Sequence, residues 1–128
     1  MDFLLDTHTF LWFINGDELL SAPAKNAILS PDSTKYLSIA SLWEIAIKVN
    51  IGKLELDMPY KKLRTHISEN GFELLPITFE HTLALSTLEL YHRDPFDRII
   101  IVQAMTEKFR VISLDKNFSK YKGLQVLW

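Results

Sequence analysis

"FLLDTHTFLW", Phe3 to Trp12, sets the reading of the whole chain: three apolar residues of strand length, then an acid, then a helix-like segment. A strand passing into a helix through one carboxylate is the first half of a β-α unit. The alternation continues outward. Strand-length runs recur as "KYLSI" (Lys35 to Ile39), "FELLPI" (Phe72 to Ile77), "RVISL" (Arg110 to Leu114) and "LQVLW" (Leu124 to Trp128). Helix-like segments fall at 7–14, 22–29, 40–51, 59–69, 78–90 and 96–108. Ser21 with Pro23, Met58 with Pro59, and Thr78 with Glu80 mark starts, while Gly52 and Gly71 mark stops. Strands separated by helices predict an α/β three-layer sandwich, a mostly parallel central sheet of about five strands with helices on both faces.

Composition narrows the class. The 128 residues read as a single domain, 1–128, long enough to bury roughly two-thirds of its unfolded surface. With 48% hydrophobic and 23% charged residues the chain has an ordinary globular balance, and no apolar run is long enough to predict a membrane span. The absence of Cys excludes disulfides and thiolate zinc sites. "MDFLLDTHTF" lacks the basic start of a secretory signal, so a cytoplasmic location is expected. A formal charge of −2 gives no general attraction to nucleic acid or anionic lipid, and any polyanion would have to meet a local patch.

Open parallel sheets bind ligands beyond the carboxyl ends of their strands. Asp6 follows the first strand and Asp115 follows "VISL", so both are expected at that edge. Glu44 lies one turn into the helix after "KYLSIA", with Ser41 three residues earlier on the same face. Asp97 is the fourth acid. Each has a plainer alternative: Asp6 and Asp115 as N-caps, Asp94 as an N-cap with Asp97 imitating a capping box, and Glu44 as the partner of Lys48. Asp97 differs in its neighbours, because Ile100, Ile101 and Ala104 make its side of the helix apolar. A carboxylate placed there without a partner costs several kcal/mol or shifts its pKa, and a divalent cation shared with other carboxylates would compensate it. All-oxygen acidic ligation suits Mg²⁺ or Mn²⁺, which activate water for attack on phosphodiesters and stabilise the leaving oxygen.

Four stretches in order, "LLDTHTFLW" (Leu4 to Trp12), "SIASLWEIAIKVNIGKL" (Ser38 to Leu54), "HRDPFDRIIIVQA" (His92 to Ala104) and "VISLDKNFSKY" (Val111 to Tyr121), resemble the PIN-domain endoribonucleases, specifically the VapC-type toxins of toxin-antitoxin systems. The resemblance spans the chain. It implies a PIN-like fold, with Asp6, Glu44 and Asp97 as catalytic, metal-binding acids and Asp115 as the more variable fourth. It also implies Mg²⁺- or Mn²⁺-dependent cleavage of RNA, a cognate antitoxin protein and a homodimer. Many relatives carry Thr where this chain has Ser113, a change that keeps the hydroxyl.

Thr7, Ser41 and Ser113 are candidate supports for the acids, with main-chain capping as the alternative. Arg93, Arg98, Lys116 and Lys120 adjoin the acids and are candidate contacts to the RNA backbone, or else solvated cations; Arg98, beside Asp97, has pairing with a carboxylate as a further alternative. His8, His66, His81 and His92 form no HExxH or close HxxxH pair; local packing or hydrogen bonding is expected of His8 and His92, with contact to RNA as the alternative. "FLWFI" (Phe10 to Ile14) is apolar all round a helix; core packing is expected for most of it, with Trp12 or Phe13 as candidates for a dimer seam or antitoxin groove. Two further classes remain open. A receiver-like signalling domain would use one Asp as phosphoacceptor, and a catalytically silent protein-binding module would tolerate loss of all four acids.

Overall fold

Strand β1 (Asp2–Leu5) occupies the middle of the sheet because it is apolar on both faces: Phe3 and Leu5 enter one core, Leu4 the other. In the computed structural model, which describes residues 1–128, β1 pairs in parallel with β2 (Thr34–Ser38) and with β4 (Arg110–Ile112). Adding β3 (Phe72–Leu75) and β5 (Val126–Leu127) gives the order β3-β2-β1-β4-β5, with every pairing parallel. All five strands read from the sequence are therefore present. The chain winds outward from β1 to β3, then returns to lay β4 on the other side of β1, so the switch in winding lies between β1 and β4. A receiver-like fold carries the order 2-1-3-4-5 instead, and that alternative fails on topology.

One face of the sheet is covered by α1 (Thr7–Asn15), α2 (Ala22–Leu29), α3 (Ile39–Asn50) and α4 (Leu63–Glu69), which contribute Phe10, Ile28, Ile45 and Leu63 to the larger core. The opposite face is covered by α6 (Pro95–Glu107), whose Ile100, Ile101 and Ala104 pack with Leu4 and Val111. Helix α5 (Phe79–Leu85) packs on α6, completing the three-layer sandwich. "FLWFI" packs mainly inward: Phe13 meets Phe72 edge-on and Trp12 meets Trp128. Trp12 and Phe13 remain half-buried, each keeping part of its ring at the surface. No helix is long and apolar enough to cross a membrane.

Helix ends follow local chemistry, with two departures. Ser21 caps α2, and Gly52 and Gly71 adopt φ of 76° and 73° after their helices. The segment 59–69 divides into a 3₁₀ turn at Tyr60–Lys62 followed by α4. The helix expected over 78–90 stops at Leu85. There the Ser86 hydroxyl donates to the Leu83 carbonyl at 2.6 Å, and the Arg98 guanidinium draws the carbonyls of Leu88 and Glu89 out of helical register. The start at Thr78 is as expected, with His81 completing a capping box: Thr78 N–H donates to His81 Nδ1 at 3.0 Å, and His81 N–H returns to Thr78 Oγ1.

Candidate functional site

The parallel register carries Asp6 and Asp115 out of the sheet on either side of the β1/β4 switch. Asp6 is both cap and site residue. Its Oδ1 accepts from Thr9 N–H at 2.8 Å, while its Oδ2 accepts from the Ser113 hydroxyl at 2.5 Å. Burial raises the Asp6 pKa, and these hydrogen bonds pull against that rise. Ser113 also accepts from Asp115 N–H at 3.0 Å, tying the ends of β1 and β4 to one hydroxyl. Asp115 Oδ1 accepts from Asn117 N–H at 2.9 Å, a local turn that leaves Oδ2 facing His92.

Glu44 reaches the site from α3. It is 5% exposed; Oε2 pairs with Lys48 at 2.8 Å, and Oε1 is buried with no hydrogen-bond partner. Thus the i,i+4 pair read from the sequence exists, yet half of the carboxylate is left unsatisfied. One turn away Ser41 accepts from the Thr7 hydroxyl at 3.0 Å, joining the first turns of α1 and α3 inside the protein.

Asp97 is released from capping by Asp94, whose Oδ1 accepts from both Phe96 N–H and Asp97 N–H with Pro95 in the first turn. The capping-box alternative for Asp97 fails because Asp94 N–H donates to His92 Nδ1 at 3.2 Å. The Asp97 carboxylate makes no hydrogen bond that meets ordinary geometry; its Oδ2 lies 3.2 Å from His92 Nε2. Burial, reinforced by the fields of Asp94, Asp6, Glu44 and Asp115, pushes its pKa up to about 8. Asp6, Glu44 and Asp115 thus lie near enough to Asp97 for their charges to oppose its ionisation.

The basic neighbours divide. Arg93, Lys116 and Lys120 are exposed and form no ion pair. Arg98 does not pair with Asp97: it donates to the carbonyls of Leu88, Glu89 and His92 at 3.0 to 3.1 Å. It braces the loop before α6. His92, expected to pack or bond locally or else to touch RNA, is buried with Nε2 2.7 Å from Asp115 Oδ2, and its ligand atom lies within 4.8 Å of those of Asp97 and Asp115. The sequence signal for it was position: a His two residues before an N-cap can reach the cap's N–H.

An acidic cluster in which one carboxylate holds its proton to about pH 8 and another has a buried oxygen without a donor suits a hard divalent cation. Fold and site together define the class, and the chain belongs to the PIN domain family, whose model matches residues 3–124. Among solved structures it is similar to VapBC2 from Rickettsia felis bound to a DNA fragment from their promoter, at 18% identity over 99% of this chain and 98% of that one, TM-score 0.75. It is also similar to VapBC-5 from Mycobacterium tuberculosis, a member of the VapBC family of toxin-antitoxin systems, at 18% identity over 98% of this chain and 97% of that one, TM-score 0.64. The PIN domain endonuclease Utp24 shares 19% identity over 98% of this chain and 83% of that one, TM-score 0.56. At these identities the likeness is one of fold. No curated protein sequence matches the chain.

Proposed function

We propose that this protein is a VapC-type endoribonuclease toxin, dependent on Mg²⁺ or Mn²⁺ and neutralised by a cognate antitoxin. The observation that carries the reading is Asp97, pushed to about 8 by burial and by the acids gathered around it at the carboxyl edge of the sheet. Asp6, Glu44, Asp97 and Asp115 would hold the metal. A divalent ion bound there supplies Lewis acidity to an RNA phosphodiester and lowers the pKa of the attacking water. The chain's own residues do the positioning. Ser113 orients Asp6 against Asp115, while Thr7 and Ser41 fix the two helix starts that flank Asp6 and Glu44. Arg93, Lys116 and Lys120 are the candidate contacts to RNA phosphates, being exposed and unpaired. Arg98 serves the loop instead.

The antitoxin follows from the likeness to VapBC structures. A cytoplasmic homodimer completes the reading, and exposed Phe79, Leu83 and Leu90 provide apolar area for contacts with other chains. Antitoxin-free protein incubated with total cellular RNA, including tRNA and ribosomal RNA, should cleave with Mg²⁺ or Mn²⁺ and not with chelator. Folded protein that cleaves none of these RNAs with either metal overturns the proposal.

A further inference from the structure

His92 is held from every side. Its main-chain N–H donates to Tyr121 Oη at 2.9 Å, its carbonyl accepts from Arg98 at 3.0 Å, and its ring meets Phe118 edge-on with centroids 5.4 Å apart. Tyr121 in turn donates to the Glu89 carbonyl at 2.6 Å. The ring therefore has a defined position beside the acids, and its two nitrogens face different partners.

The peptide N–H of Asp94 lies 3.2 Å from Nδ1. A peptide N–H can only donate, so Nδ1 presents a lone pair and the proton of the neutral imidazole sits on Nε2. That Nε2–H lies 2.7 Å from Asp115 Oδ2, with Asp97 Oδ2 at 3.2 Å on the same nitrogen. Distance alone would admit His92, Asp97 and Asp115 as three ligands of one metal. The hydrogen bonding opposes this. Ligation through Nε2 would move the proton to Nδ1, setting it against the Asp94 N–H, donor to donor, at a buried residue.

We propose that His92 is a positioning residue and not a metal ligand: as a neutral Nε2–H donor it holds Asp115 in place beside Asp97 while leaving the metal an all-oxygen donor set. The inference rests on the reading of the acids as a metal site. The donated hydrogen fixes Asp115 Oδ2 beside Asp97 without adding a charge, so the two side chains stay gathered before a cation arrives. Withholding the imidazole also removes the ligand that favours zinc and leaves oxygen, which favours Mg²⁺ and Mn²⁺.

The test uses the full chain labelled with ¹⁵N at histidine, recorded with and without saturating Mg²⁺. A proton on Nε2 of His92 in both spectra is expected. A proton on Nδ1 in the metal-free protein, or loss of the Nε2 proton when Mg²⁺ binds, overturns the proposal. A second measurement follows the thermal midpoint during Mg²⁺ titration. His92→Gln can return a side-chain N–H near the Nε2 position and should keep the response, whereas His92→Asn should need about 10- to 100-fold more Mg²⁺. Equal Mg²⁺ affinity in His92→Asn and wild type also overturns it. An Nε2–H retained with Mg²⁺ bound, in protein that cleaves no RNA, sinks the nuclease reading and leaves the role of His92 standing.

Discussion

At the strand ends, Asp6 and Asp115 have both carboxylate oxygens engaged, by Thr9 and Ser113 in one case and by Asn117 and His92 in the other. On the helices, Glu44 keeps one buried oxygen without a donor, and Asp97 has only the long His92 contact. The strand-borne acids serve the fold as well as the site, since their hydrogen bonds close a helix start and a turn. The helix-borne acids bring negative charge into a partly buried place and receive little in return. Structure and chemistry are thus separated within one cluster: two acids define the pocket, and two create its demand for a cation.

The largest break in this comparison should come from Asp97→Asn. A metal bound only by the folded state adds about 2.7 kcal/mol at a hundredfold excess over Kd, a midpoint rise of several degrees in wild type. The variant should lose that rise under Mn²⁺ titration, and RNA cleavage should fall by at least ~100-fold. Without metal it should be the more stable protein near neutral pH, because wild type folds there only by keeping a proton on Asp97 that the unfolded chain releases. The sign follows from a folded pKa of about 8 against an ordinary value of 3.8. Between those values the native state keeps a proton that the unfolded chain has released. The contribution of Asp97 to metal-free stability should therefore fall as pH rises from about 4 to about 8 and stay level beyond. Chemical denaturation of wild type and Asp97→Asn across that range checks it. Parallel stability curves for the two would remove the helix-borne half of the contrast.

Asp6→Ala should act in the opposite sense. It removes a cap and strands the Ser113 hydroxyl in a buried place, costing roughly 2 to 3 kcal/mol in urea unfolding. Asp6→Asn retains oxygen for the Thr9 N–H and should stay within about 1 kcal/mol of wild type while losing the metal response. If Asp6→Ala were as benign as Asp97→Asn, the division between strand and helix acids would collapse.

The smallest effect belongs to Lys48→Ala, which frees the second Glu44 oxygen. The Lys48 side chain is 39% exposed, so the pair should contribute only about 0.3 to 0.5 kcal/mol to metal-free stability. Its removal should sharpen the contrast by tightening Mn²⁺ binding slightly, measured as a lower metal concentration for half of the midpoint rise. Weaker binding would mean that Lys48 positions Glu44 for the metal.

Much of this organisation was legible in the sequence because the informative residues sit next to the elements that place them. Asp6 directly follows β1, Asp115 lies just past β4, and Ile100, Ile101 and Ala104 declare that the environment of Asp97 is apolar. The dual service of Asp6 was not legible, since its cap partner is three residues away and Ser113 lies 107 positions on. The role of Arg98 was not legible, because adjacency to Asp97 in a helix says little about direction. Its guanidinium turns back to the loop that α5 would have occupied had it run to residue 90. The place of His92 among the acids was not legible, because motif spacing is blind to a ring whose backbone is tied to Tyr121, 29 residues further along.

The Ser113–Asp6 hydrogen bond has a consequence in time. Because β1 is flanked by β2 and β4, a growing chain can pair its first strand on one side early, but the other side must await residues 110–112. Such sequence-distant closure is slow compared with forming helices or neighbouring strands. The acids consequently cannot come together until β4 has been made, and before then the nascent polypeptide carries parts of its pocket without the pocket itself.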